Sequence, residues 1–189
     1  MSDEPTSTGD NGNRGGWWTR LFQGRGDDPS GRGDIVGFLS ECRDRELLGA
    51  DELAMLLGVL EVADTHVRDI MVPRSHMVVL SHDNTPEQLL DTIVSSGHSR
   101  FPVIGEDRDQ VLGILLAKDL LPHISRTDSD IPLEDLLRPA VFIPESKRLN
   151  TLLAEFRERH QHIAIVVDEY GGVSGLATIE DVLEQIVGD

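Results

Sequence analysis

The sequence predicts an α/β (α+β) fold of two β-α-β-β-α units, preceded by a disordered tail and two short helices. Three observations carry this reading. The chain after Val67 repeats itself. Val67-Arg-Asp-Ile-Met-Val-Pro73 matches Leu133-Glu-Asp-Leu-Leu-Arg-Pro139 with the prolines 66 residues apart, and Gly113-Ile-Leu-Leu-Ala-Lys-Asp119 matches Gly175-Leu-Ala-Thr-Ile-Glu-Asp181 with the glycines 62 apart. In each copy a helical pattern is followed by two short apolar runs across a polar turn, which is the pattern of a hairpin. Before about Arg32 the residues are mostly Gly, Ser, Asp and Asn and offer little apolar surface to offset the entropy of ordering.

Taken in order, residues 1–32 form the tail, interrupted by Trp17, Trp18, Leu21 and Phe22, which suit a short docking segment or a sticky patch. Residues 33–64 hold the two helices. The first begins near Asp34; the second follows the break at Gly49, with Asp51 able to cap it and Leu53, Leu56, Leu57 and Leu60 at helical spacing. Residues 65–126 form the first unit. Met77 to Leu80 reads as a strand, and Thr85-Pro-Glu-Gln88 is a capping box opening a helix that Gly97 ends. Phe101–Ile104 and Gln110–Leu115 are the hairpin strands, and Lys118–Leu121 opens a last helix that Pro122 stops. Residues 127–189 form the second unit: a strand at Val141–Ile143, a helix over Leu149–Arg159, strands at Ile163–Val167 and Val173–Ala177 across Asp168-Glu-Tyr-Gly-Gly172, and a helix from Ile179 to about Val187.

Charge and cysteine content narrow the function classes. Seventeen Lys+Arg against 34 Asp+Glu give a formal charge of −17, which argues against a general nucleic-acid or anionic-membrane surface and requires a local basic patch for any bound anion. The single Cys42 has no disulfide partner within the chain, in keeping with a reducing cytoplasm. The amino-terminal residues have no signal-peptide pattern, and the apolar runs fall short of the roughly 20 residues a membrane helix needs. Nucleophile elbows, Walker loops and dinucleotide fingerprints are absent, so the expectation is a binding module rather than an enzyme.

The chemistry concentrates at the strand-to-helix corner Gly175-Leu-Ala-Thr-Ile-Glu-Asp181. Thr178 and Asp181 stand three apart, the spacing of a plain capping box and equally of a hydroxyl–carboxylate pair that could hold the cis hydroxyls of a ribose. The matching corner of the first unit keeps Asp119 but has Leu116 in place of the threonine, which predicts one good site and one weak or empty one. Arg100, in His98-Ser-Arg-Phe-Pro102, can supply a phosphate fork or pair with a surface carboxylate, and Arg74 is ambiguous in the same way. His160 and His162 read as surface histidines with no third metal ligand nearby.

At Arg68-Asp-Ile-Met-Val-Pro-Arg74, His98-Ser-Arg-Phe-Pro-Val103, Leu115-Leu-Ala-Lys-Asp-Leu-Leu-Pro122, Pro144-Glu-Ser-Lys147 and Asp168 to Glu184 the sequence resembles a tandem pair of CBS domains. More closely it resembles the CorC family of magnesium and cobalt efflux or homeostasis proteins, relatives of the hemolysin-C-like proteins and the CNNM magnesium transporters. The resemblance implies two CBS units packed through their sheets, a homodimer of such modules, and an adenine nucleotide (ATP or AMP, with Mg²⁺) in the cleft between units. Carried over, Thr178 and Asp181 would hold the ribose and Arg100 a phosphate. Ser99, Phe101 and Pro102 would line the base or phosphate pocket, and His98 stands where relatives often carry an aromatic residue. The implied function is regulation of a divalent-cation efflux system through a membrane transporter or other protein partner, with no direct membrane insertion. The alternative is a purely structural dimerisation module with a vestigial pocket. Longer relatives carry a membrane domain before the module, and family members usually continue into a small C-terminal domain that this sequence does not include.

Overall fold

Near-continuous apolar runs in the strands, such as Ile163–Val167, require two covered faces, and the repeat supplies both covers. In the computed structural model, which describes residues 31–124 and 133–188, helices α1 (Arg32–Asp44) and α2 (Ala50–Val62) precede the repeat. The expected tail with Trp17, Trp18, Leu21 and Phe22, and the boundary at residues 126 and 127, lie outside the described residues. Asp51 is not the cap of α2: it lies inside the helix, and the Glu52 carboxylate accepts the Gly49 N–H at 2.8 Å.

The first repeat contributes β1 (Val72–Pro73), β2 (Leu80–Ser81), α3 (Pro86–Ser96), β3 (Arg100–Ile104), β4 (Val111–Leu116), a 3-10 turn over Ala117–Leu120 and α4 (Leu121–Ile124). The second contributes α5 (Leu133–Leu136), β5 (Phe142–Pro144), α6 (Leu149–Arg159), β6 (Ile163–Val167), β7 (Val173–Thr178) and α7 (Ile179–Val187). The Thr85 box forms as expected, with Thr85 Oγ1 accepting from Gln88 N at 3.4 Å and Gln88 Oε1 from Thr85 N at 3.0 Å; Gly97 ends α3 at φ 69°. Two expectations need correcting. The strand expected over Met77–Leu80 is paired only at Leu80–Ser81, because Met77 turns into an apolar cluster instead. Pro122 does not stop a helix but sits in the first turn of α4, where no backbone N–H is needed.

Two sheets result, β1-β7-β6-β5 and β2-β3-β4. Their membership crosses the repeat. β1, from the start of the first repeat, pairs antiparallel with β7 of the second, Val72 opposite Leu176 and Pro73 opposite Gly175. Reciprocally, Arg138 bridges to Ile114 of β4, with N···O distances of 2.8 and 2.9 Å. The cores follow the same exchange. Val62 and Val67 pack with Ile143, Leu149, Leu152, Phe156, Ala164, Val166, Ala177 and Val182, while Leu133 packs with Leu80, Leu89, Phe101, Val103, Leu115 and Leu120. Between the sheets lies a third cluster: Met77, Ile114, Leu116, Ile163, Ile165, Val173 and Leu176. The two units are thus packed through their sheets.

Candidate functional site

Strand alternation decides what the corners present. On β3, Phe101 and Val103 enter the core of their own unit, so Arg100 and Pro102 lie on the other face, toward the inter-sheet layer. On β6, Ala164 and Val166 point to their own core and Ile163 and Ile165 to the inter-sheet cluster. Register makes the correspondence explicit: Arg100 is opposite Leu116, and Ile163 is opposite Thr178. Leu116 and Thr178 are the repeat-matched pair, so the structural counterpart of Arg100 is Ile163. Ile163 and Leu116 belong to one buried cluster. Arg100 and Thr178 are thus each paired across a strand ladder with a member of that cluster.

The second-unit corner is closed on itself by a reciprocal box. Thr178 Oγ1 donates to Asp181 Oδ2 at 2.7 Å, Thr178 N donates to the same oxygen at 2.8 Å, and Asp181 N donates to Thr178 Oγ1 at 3.2 Å. Both side chains remain partly accessible. No cation pairs with Asp181 among the described residues. The first-unit corner differs at each point. Leu116 caps its turn without a side-chain bond, and Asp119 is neutralised by Arg138, Nη2 to Oδ2 at 3.0 Å. One corner therefore offers a hydroxyl and an uncompensated carboxylate, and the other a leucine and a paired carboxylate.

The remaining sequence-predicted residues separate by environment. Arg100 is half-buried with no side-chain partner among the described residues. Ser99 and His98 are exposed, and the His98 ring lies 6.1 Å from that of Phe101 at 59°. Phe101 is 0% exposed in the first-unit core, so it supports the strand and presents no open surface. Pro102 is buried on the inter-sheet face. Arg74 is committed elsewhere: its guanidinium forms a two-pronged pair with Asp109, Nη2 to Oδ2 at 2.9 Å, and donates to Val173 O at 3.1 Å. Asp109 Oδ1 in turn accepts Val173 N at 2.7 Å, joining the β3–β4 turn to the start of β7. The Arg74 guanidinium, then the Val173 amide, hold the Asp109 carboxyl below the usual range, and Asp109 raises Arg74. His162 faces Glu180 at 3.9 Å, and no group of three metal-ligating side chains occurs among the described residues. Sequence reasoning missed the Arg100–Ile163 equivalence, because β3 and β6 are offset by one residue relative to β4 and β7, which only register reveals.

Paired units of this topology, joined sheet to sheet with an aspartate at each strand-to-helix corner, define a class of tandem α/β module. The chain belongs to the CBS domain family, whose model matches residues 67–126 and 129–188, and within it to the CNNM/CorC group. It is 46% identical over 194 residues to the magnesium and cobalt efflux protein CorC of Salmonella typhimurium, covering 100% of this chain and 65% of that protein. The chain spans about 65% of the length of that curated relative. The solved CBS domain of the bacterial CNNM/CorC family Mg²⁺ transporter in complex with ATP is 42% identical at a TM-score of 0.68, over 71% of this chain and 96% of that one. A CBS-domain pair from Klebsiella pneumoniae with bound AMP is 28% identical at a TM-score of 0.59, over 66% and 99%. Among the described residues no helix is long and apolar enough to cross a membrane.

Proposed function

We propose that this module binds an adenine nucleotide, ATP with Mg²⁺ or AMP, between its two units and so regulates a magnesium or cobalt efflux system. The observation that carries the reading is the asymmetry of the corners: Thr178 and an unpaired Asp181 in the second, Leu116 and a neutralised Asp119 in the first. A ribose fits this donor set. Its hydroxyls donate to Asp181 and exchange with the Thr178 hydroxyl, while the Thr178 and Asp181 amides keep the helix start in place. Arg100 and Ser99 take phosphate oxygens, and His98 and Pro102, backed by Phe101, form the wall beside them. Mg²⁺ rides on the phosphates rather than on protein ligands. The ATP- and AMP-bound relatives support this ligand class. The module works on the cytoplasmic side, as a homodimer coupled to a membrane transporter or other protein partner.

Titration calorimetry of the whole chain with ATP, ADP and AMP tests the reading. Binding is expected, with at least about ten-fold loss in Asp181→Ala, the scale of a hydrogen bond to a charged group. Silence at millimolar nucleotide, or an unchanged Asp181→Ala, sinks it. The self-closed Thr178–Asp181 box favours one second reading, a structural module with a vestigial pocket. That reading predicts a melting temperature that ignores ATP, whereas a ligand of the folded state raises it.

A further inference from the structure

The two junctions between the sheets are fastened unequally. At one of them Asp109, in the β3–β4 turn, accepts Arg74 Nη2 at 2.9 Å and Val173 N at 2.7 Å, while Arg108 Nη1 donates to Arg74 O at 2.6 Å. Among the described residues, the side-chain hydrogen bonds that tie one sheet to the other run through these residues. The other junction lacks the parts. The matched prolines put Ala140 where the first copy has Arg74. Val111 lies opposite Ile104 and Val173 opposite Val167, so counting back from each valine puts Gly171 where the first copy has Asp109.

The fastened strand is the one that reaches the better corner. β7 starts at the clamp with Val173 and ends on Thr178, about 17 Å further along at the usual strand rise. The β3–β4 hairpin carries Asp109 at its turn and Arg100, opposite Leu116, at its open end. The clamp therefore joins, at one end, the two elements that carry Thr178 and Arg100 at the other. The unfastened strand is β4, which runs from Val111 to Leu116 and leads to the neutralised Asp119. Between the sheets lie Ile114, Leu116, Ile163, Ile165, Val173 and Leu176, whose apolar contacts have no directional preference and leave the offset of one sheet against the other to the polar link. Exposed ion pairs generally contribute little, but a two-pronged guanidinium–carboxylate pair is the geometry in which they count.

We infer that Asp109 is a positioning residue for the nucleotide site: its clamp on Arg74 and Val173 sets the spacing between the Thr178–Asp181 corner and Arg100 while bonding to none of them. This role presupposes the nucleotide binding proposed above and adds a control on its affinity. By linkage, bound nucleotide strengthens the clamp as much as the clamp favours nucleotide.

The test is calorimetry of the full chain with AMP and ATP, at a temperature where circular dichroism shows every variant folded. Asp109→Asn and Arg74→Gln are each expected to weaken both nucleotides about five-fold, the low end of couplings between separate sites, and the double variant is expected to lose no more than either alone. Thr85→Ala, which removes the cap of α3 and destabilises the chain away from the clamp, should bind as wild type does. Unchanged affinity in Asp109→Asn overturns the inference, as do losses that add in the double variant. An equal loss in Thr85→Ala overturns it too, by assigning the effect to general stability. Each of these leaves nucleotide binding itself standing, whereas a wild-type chain that binds neither AMP nor ATP overturns both readings.

Discussion

The Thr178 hydroxyl caps α7 and, in the proposed reading, also meets the ribose, and a pair of variants tests whether both depend on that hydroxyl. Thr178→Ala removes the cap on α7 and should cost about 1 kcal/mol of unfolding free energy, as lost N-caps do, together with nucleotide affinity. Thr178→Ser keeps the hydroxyl and should preserve both, read by urea titration and calorimetry side by side. The Thr178–Asp181 geometry was legible in the sequence because it is local, three residues within one turn. Arg74 was not legible. Its carboxylate, Asp109, lies 35 residues away on the β3–β4 turn and becomes a neighbour only when β7 passes beside it.

At the scale of elements, the repeated glycines have a steric cause. A Cβ on Gly175 would overlap the carbonyl oxygen of Val72, and one on Gly113 would stand 2.8 Å from Arg138 O and 2.9 Å from Leu137 Cβ. Both are places where a segment of one repeat lies against the sheet of the other. Backbone cannot withdraw as a flexible side chain can. Gly175→Ala should therefore lower the urea midpoint by an amount equivalent to about 1–3 kcal/mol, the range of overpacking, and loosen protection of the Val72 amide region in hydrogen exchange. Gly58 shows the same close approach in α2, where a Cβ would be 2.7 Å from the carbonyl oxygens of Gln185 and Ile186 on α7. The sequence displays all three glycines, but their reason is a contact with residues far along the chain.

Across the whole repeat, the cores are exchanged rather than consecutive. Val67 belongs with the second unit and Leu133 with the first, so neither unit can open without disturbing its sibling. The Arg74–Asp109–Val173 contacts add a polar clamp across the same junction. Because the folded Asp109 carboxyl is held below its ordinary range, its contribution to stability is complete above the unfolded carboxylate pKa of about 3.9 and is lost as pH falls through the depressed folded value. Wild type should exceed Asp109→Asn in stability at neutral pH, and the gap should close only at pH well below 4. A gap that is the same at both ends of an acid titration would assign the difference to packing instead.

The sequence by itself determined the repeat, the helices Leu149–Arg159 and Ile179–Val187, the Thr85 and Thr178 capping boxes and the inequality of the two corners. Each is written in local spacing or in the comparison of one copy with the other. Only the tertiary structure decided which strand completes which sheet, that Arg100 stands where its sibling has Ile163, and that Asp119 is neutralised by Arg138. Those facts depend on register and on the crossing of segments between units. Hydrogen-bond pairing over tens of residues sets both, and no local window of sequence carries that information.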